Sequence, residues 1–355
     1  MAKHSRGVIG GVDTHGRTHH AAVLDEQGRL LADAGFEASA SGYRALLGWL
    51  RRHGTVRAVG IEGTGTYGAG LARFLAAERV QVIEVDRPDR RTRRARGKSD
   101  PIDAVAAARA VLAGTATGRP KTRTGPVEAI RALRAARRGA VKARTAAINQ
   151  LHGLVVAAPE HLRARLTGLG TQELVGRCAR LRVEQDRLLE PTTATKAALR
   201  AIAGRIQALD DEIALADRRI RPAVTATAPR TSAVFGAGAE VAGQLLVTAG
   251  DNPERLRGEA ALAHLCGISP LPASSGRTDR HRLNRGGDRA ANNAVHTIVL
   301  TRMRYDPRTR EYVTRRTQQG LSKKEIMRCL KRHVIREVHR ALLADFAALH
   351  GLDGP

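Results

Sequence analysis

Four carboxylates occupy positions where this sequence could do chemistry. In RARGKSDPIDAVAAARA, residues 94–110, Asp100 and Asp103 stand on either side of a proline at the mouth of an alanine-rich helix. Spaced i and i+3, they share one helical face. Asp13 ends the apolar run VIGGVD and Glu62 ends VRAVGIE, so each projects from the end of a buried strand. Four acids converging from two strand ends and one helix repel one another unless a hard cation neutralises them. Mg²⁺ suits oxygen ligands and supports phosphoryl transfer. The aspartate pair also has a plainer explanation. Asp100 suits an N-cap, Pro101 the N1 position and Asp103 the positive end of the helix dipole. A metal ligand can also cap, and the strand-end context of Asp13 and Glu62 favours metal.

A second constellation is CGISPLPASSGRTDRHRLNRGGDRAANNAV, where Ser274 and Ser275 precede Arg277, Arg280, Arg282 and Arg285. A serine that attacks a phosphodiester needs an exposed hydroxyl on a mobile turn and cations to stabilise charge on the phosphoryl oxygens. The loop offers both, although taken alone it reads first as a flexible basic linker that touches DNA. Upstream, TSAVFGAGAEVAGQLLVTAGD places Gly236 and Gly238 before an apolar helix. The N–H groups at such a helix start can receive a phosphate, as half of a helix-hairpin-helix element; a tight turn alone also explains the two glycines. His15, His19 and His20 lie in the first hairpin without a distant partner cluster, and read as surface or phosphate-contacting residues rather than zinc ligands.

The elements that must position these groups fall into three zones: 1–118, 119–228 and 229–355. In the first, two strands turning at Glu26–Gln27–Gly28 follow the GVIGGVD strand. Helix GYRALLGWLRRHG, strand VRAVGIEG, helix YGAGLARFLAAE and strand VQVIEVD come next. Three strands, then helix, strand, helix, strand, is an α/β order of the ribonuclease H type, in which an antiparallel meander leads into parallel strands. The middle zone is helical. Leu199, Ile202, Ile206, Leu209, Ile213, Ala216 and Ile220 recur at 3-4 spacing, an a/d seam expected to end at Pro222. It fits an internal helical hairpin or an intermolecular coiled coil. The flanking IRALRAARRGAVKARTAAINQL is a basic helix able to track a phosphate backbone or simply to face solvent. The last zone is mostly helical, and its closing helix opens with a capping box, Ser322 to Glu325.

Composition narrows the partners. Lys and Arg outnumber Asp and Glu 60 to 34 in 355 residues, a formal charge of +26. Arginine dominates, and its fork matches phosphate geometry. Part of the arginine excess fits a GC-rich genome, but the surplus over acids points to nucleic acid through counterion release. A membrane surface is disfavoured, because no lysine-rich amphipathic segment with aromatic anchors is present. Cys178, Cys266 and Cys329 lie far apart with no CxxC pair, which argues against a zinc ribbon or a disulfide framework. No apolar run approaches the roughly 18 residues of a membrane span and no leader-like hydrophobic segment is found, so a cytoplasmic protein is expected. Aromatics make up 3%, so stacking on an aromatic platform is not expected to be the main binding mode.

The aspartate in GVDTH, the glutamate in IEGTGTYG and the motif KSDPIDA together resemble the DEDD-type insertion-sequence transposases of the insertion sequence 110 family, whose third motif reads K-[ST]-D-x-x-D-A. The region from GAGAEVAGQLL to RGGDRAANNAV is similar to that family's C-terminal transposase domain, and the resemblance covers most of the chain in the family's order. It implies a RuvC-like, ribonuclease H-fold N-terminal domain, a coiled-coil middle and a helical C-terminal domain. The family's acids fall on Asp13, Glu62, Asp100 and Asp103. Its nucleophilic serine falls on Ser274, with Ser275 next in register. It further implies site-specific recombination of donor and target DNA through phosphoserine intermediates, dimeric to tetrameric assembly, and a structured guide RNA encoded by the element. The usual SKRG appears here within LNRGG, with Asn284 and Arg285 replacing the common serine and lysine. Ala273 precedes the serines where a bulkier residue is expected.

The chain is therefore expected to be a transposase or recombinase. Its acids would hold Mg²⁺ at the scissile phosphate, Ser274 would attack, and the loop arginines would stabilise developing charge. The long helical spacer leads to the expectation that the acids of one subunit act with the serine of another. Sequence choice would be delegated to base pairing. Two alternatives stand beside it: a metal-dependent junction-resolving nuclease that uses water, and a non-catalytic basic nucleic-acid-binding protein.

Overall fold

The computed structural model describes residues 7–85, 99–252, 254, 256–277, 281–282 and 284–351. Two compact units divide the chain: residues 1–124 with 250–255, and residues 125–249 with 256–355.

In the first unit, β1 (Gly7–Thr14), β2 (Thr18–Asp25) and β3 (Leu30–Glu37) form the expected antiparallel meander. Its second turn is held by Asp25, whose Oδ1 accepts the N–H groups of Gln27 (3.0 Å) and Arg29 (2.8 Å). This is the local bonding that makes aspartate a turn former. Helix α1 (Ala40–His53), β4 (Thr55–Glu62), α2 (Ala69–Ala77) and β5 (Val82–Val85) follow, and the sheet order is β3-β2-β1-β4-β5 with β1, β4 and β5 parallel. This mixed sheet is consistent with a ribonuclease H-like fold.

Strand alternation gives the sheet two different faces. Val8, Val12, Val23, Val59 and Ile61 pack with Leu46 and Leu50 of α1 and Leu71 and Leu75 of α2. Ile9, Leu24, Ala58 and Ile83 face the other way, against Ala108, Val105 and Val111 of α3 (Asp100–Leu112). By the same alternation Gly11, Asp13, Gly60 and Glu62 belong to the α3 face.

The second unit is built on two long helices, α4 (Pro126–Val156) and α7 (Pro191–Thr227). They run antiparallel, since Arg137 pairs with Asp217 and Arg144 with Asp210. The seam on α7 thus finds its partner within the chain, as an internal hairpin. Leu199, Ile206 and Ile220 are buried, while Leu209, Ile213 and Ala216 are only partly covered. One expectation is corrected: α7 does not stop at Pro222 but continues to Thr227. Pro222 is exposed, whereas Ile220 and Val224 lie in the core on either side of it, so packing carries the helix across the lost backbone bond.

Short helices α5 (Glu160–Leu166) and α6 (Thr171–Ala179) close one end of the hairpin over Leu151, Val155 and Leu199. At its other end, Val127, Ile130 and Val224 share a core with the C-terminal helices. These are α8 (Pro229–Ala233), α9 (Ala239–Ala249), α10 (Glu259–Leu265), α11 (Arg289–Tyr305), α12 (Pro307–Gln318) and α13 (Lys323–Leu349). Helix α13 opens with the expected capping box of Ser322 and Glu325, and its packing role is visible at Asp345. That buried carboxylate accepts the N–H of Arg230 (2.9 Å) and both the N–H (2.8 Å) and hydroxyl (2.7 Å) of Thr231. Among the described residues, no helix is long and apolar enough to cross a membrane.

Candidate functional site

The acids of the first unit gather where α3 begins. Asp13 is buried near the end of β1, and Thr14 beside it donates to the backbone carbonyl of Glu62 at 2.8 Å, tying the ends of β1 and β4 together. Helix α3 starts with extended backbone at Ser99, whose side chain makes no capping bond. Ser99, not Asp100, occupies the N-cap, which corrects the capping expectation. Asp100 and Asp103 lie in the first turn, where the helix dipole favours negative charge. Asp103 is buried against the sheet, and Asp100 stays half exposed at the mouth.

His15 joins this group. Its Nε2 lies 3.1 Å from Asp13 Oδ2 and 3.3 Å from Asp100 Oδ1. Ligand atoms of Asp13, His15 and Asp100 all fall within 4.8 Å of one another. Glu62 and Asp103 do not belong to this trio; Glu62 is half-buried at the end of β4. Two carboxylates and an imidazole suit a hard or borderline divalent cation. The expectation for the histidines changes accordingly. His15 does have a distant partner, Asp100. The signal was the spacing Asp13-x-His15, which keeps both on one side of an extended chain. His20 pairs with Asp33 at 2.7 Å. His19 is not a surface residue: it is fully buried and stacks on Tyr43 with ring centroids 5.6 Å apart. Burial pushes its pKa down, so it packs as a neutral ring.

The serine loop belongs to the second unit. Strands β6 (Leu271–Pro272) and β7 (His281–Arg282) pair as a short ladder. Ser274, Ser275 and Arg277 are exposed between them, and Arg282 and Arg285 are exposed on the returning arm. Arg280 lies outside the described residues. The loop's base is firmly held. Asn284 is buried and donates to the carbonyl of His264 (3.2 Å), while its Oδ1 accepts the N–H of Gly286 (3.0 Å). A Cβ on Gly287 would come within 2.2 Å of the nitrogen of Gly267, so the second glycine of RGG permits backbone to pack on backbone. Asp288 then caps α11, and its Oδ2 accepts the hydroxyl of Thr248 at 2.7 Å.

Gly236 adopts φ +88° in the turn before α9, the left-handed conformation that favours glycine. Gly238 is open to solvent. The first turn of α9 carries Glu240, bound to Arg134 at 2.7 Å.

A mixed sheet with carboxylates at adjoining strand ends, joined to an arginine-rich helical unit, defines an enzyme class that performs phosphoryl transfer on nucleic acid. Comparison with known families gives the particular member. A DEDD IS110-type family model, described as Transposase, matches residues 10–158. A second, described as Transposase IS116/IS110/IS902 family, matches residues 229–314. Together they span about two thirds of the sequence, and the chain belongs to the IS110 family of insertion-sequence transposases, enzymes that cut and recombine DNA. No curated protein matches it significantly.

Proposed function

We propose that this transposase exchanges DNA strands through a serine–phosphodiester intermediate supported by Mg²⁺. The reading rests above all on the mutual approach of Asp13, His15 and Asp100 on the sheet face that carries Glu62 and lies beneath Asp103. These residues would hold the cation, Asp13 and Asp100 most directly, with Glu62 and Asp103 supplying further negative charge. When bound, the cation stabilises charge developing on the phosphoryl oxygens.

Ser274 Oγ attacks phosphorus. The Oγ–P bond forms as the bond to the leaving deoxyribose oxygen breaks; the serine loses its proton and the leaving oxygen gains one. Attack by the hydroxyl of a second strand reverses these steps and frees the serine. Arg277, Arg280, Arg282 and Arg285 stabilise the phosphate during both. The Gly236–Gly238 turn is assigned to a backbone contact with DNA. Residues 1–118 would supply the metal ligands, 119–228 the helical arm and 229–355 the serine. A homodimer or homotetramer acts on donor and target DNA, with a guide RNA choosing the site.

The test is incubation with Mg²⁺, co-purifying RNA and the DNA flanking the gene, followed by a denaturing gel. A protein–DNA adduct lost in both Ser274→Ala and Asp103→Ala is the expected result. Cleaved DNA without adduct in wild type and Ser274→Ala alike would replace serine chemistry with water attack.

A further inference from the structure

A cavity of about 540 Å³ in the second unit lies between the turn preceding α9 and helices α11, α12 and α13. Its volume is in the range of sites that enclose small ligands. Buried Val299, Leu330 and Val334 form the floor, Phe235 and Tyr312 stand at its sides, and the exposed Arg308 and Arg315 lie at its rim.

Aromatic residues are scarce in this chain: four Phe, four Tyr and one Trp. Only Phe235, Tyr305, Tyr312 and Phe346 fall in the second unit, and two of them line this one cavity. Phe235 is 52% exposed, and its backbone is anchored. Arg302 Nε donates to its carbonyl at 3.0 Å, and Gly236 follows in the left-handed conformation. Tyr312 meets the edge of His333 at 5.6 Å, with the guanidinium of Arg315 5.5 Å from its ring centre. A half-exposed ring on an anchored backbone needs only its side-chain torsions ordered in order to stack.

The charges around the cavity are not balanced. Glu337 is engaged by Arg302 in a two-pronged pair (2.9 and 2.6 Å), and Asp306 caps α12 by accepting both the N–H and hydroxyl of Thr309. Arg308 and Arg315 have no carboxylate partner among the described residues, leaving a net cationic rim over an apolar floor with aromatic sides.

We propose that this cavity receives one unpaired nucleotide of single-stranded nucleic acid, its base between Phe235 and Tyr312 and its phosphates on Arg308 and Arg315. Aromatic faces with adjacent arginines are the chemistry that holds splayed bases. Neither group reads the 2′-hydroxyl, so RNA and DNA are two sources of the same ligand. The inference needs only the family's nucleic-acid substrate and is independent of serine or metal chemistry.

The experiment uses full-length protein in EDTA with short single-stranded RNA and DNA of one sequence, each carrying 5-iodouracil. Photo-adducts are mapped by mass spectrometry. Adducts on Phe235 or Tyr312 are expected; an RNA-only or DNA-only adduct supports the site and identifies its source. Phe235→Ala should weaken binding of the adduct-forming strand by about tenfold, and Phe235→Tyr should retain it. Arg315→Gln should lower the salt slope of binding by about one. Adducts confined to other segments, with Phe235→Ala binding as wild type does, would overturn the proposal. Because no strand is cut, failure of the serine mechanism leaves this result unaffected.

Discussion

Gly11 and Gly60 face each other across the parallel strands β1 and β4, and a Cβ on either would strike the backbone of α3. At Gly11 the clash is 2.2 Å from the carbonyl oxygen of Ala104 and 2.3 Å from the nitrogen of Ala108; at Gly60 it is 2.8 Å from the carbonyl oxygen of Ala107. This pair lets the helix bearing Asp100 and Asp103 lie directly on the strands bearing Asp13 and Glu62. Gly11→Ala should therefore cost about 1–3 kcal/mol by overpacking and displace α3, reducing strand cleavage beyond what the stability loss explains. Gly35→Ala in β3, with nothing within 4 Å, is the matched control. Thermal melts and cleavage assays on both variants check this; equal behaviour would show that the approach of α3 is not set by glycine.

His15 offers a nitrogen donor between two carboxylates. His15→Gln should leave the fold intact and weaken Mn²⁺ binding by at least roughly 10-fold, the lower end of the loss seen even when groups that merely orient metal ligands are removed. Pulsed electron paramagnetic resonance of bound Mn²⁺ should detect imidazole nitrogen coupling in wild type and lose it in the variant. Bound Mn²⁺ without nitrogen coupling in wild type would restrict the centre to carboxylates.

The meander, the strand ends carrying Asp13 and Glu62, and the capping box at Ser322 were legible because each is written in adjacent residues. Apolar alternation, turn formers and a serine three residues before a glutamate act locally. What escaped depends on segments far apart in sequence. His15 acquires meaning only once α3 crosses β1 at Gly11, and the Phe235–Tyr312 cavity draws its walls from three separated segments. The seam of α7 was readable, but its partner was not, since apolar periodicity describes one face and says nothing of what covers it. Pro222 failed as a stop signal because buried neighbours on both sides outweigh one missing backbone bond.

Packing and charge divide the work in the helical hairpin. Ile206 is fully buried among Leu199, Leu151 and their neighbours, so Ile206→Ala should cost about 2–5 kcal/mol. Asp217 is 40% exposed and pairs with Arg137 at 2.6 Å, so Asp217→Asn should cost no more than about 1 kcal/mol. Urea titrations separate the two. A larger loss at Asp217 would mean that the ion pairs, rather than the apolar seam, stabilise the arm.

The serine loop returns into a buried polar chain: Arg134 donates to Gln244 (2.9 Å), Gln244 to Thr248 (3.0 Å) and Thr248 to Asp288 (2.7 Å). Asp288 in turn accepts the N–H groups of Ala290 and Ala291, fixing the start of α11 immediately after the loop. Thr248→Val keeps the shape but strands the Gln244 amide and removes one donor from Asp288, a cost of about 1–3 kcal/mol. Misplacing a reacting group by about 1 Å can lower a rate on the order of 10²-fold. If the chain aims Ser274, Thr248→Val should therefore slow adduct formation at temperatures where the variant is fully folded, with DNA affinity little changed. Rates that recover fully once folding is restored by cooling would reduce the network to a stabilising role.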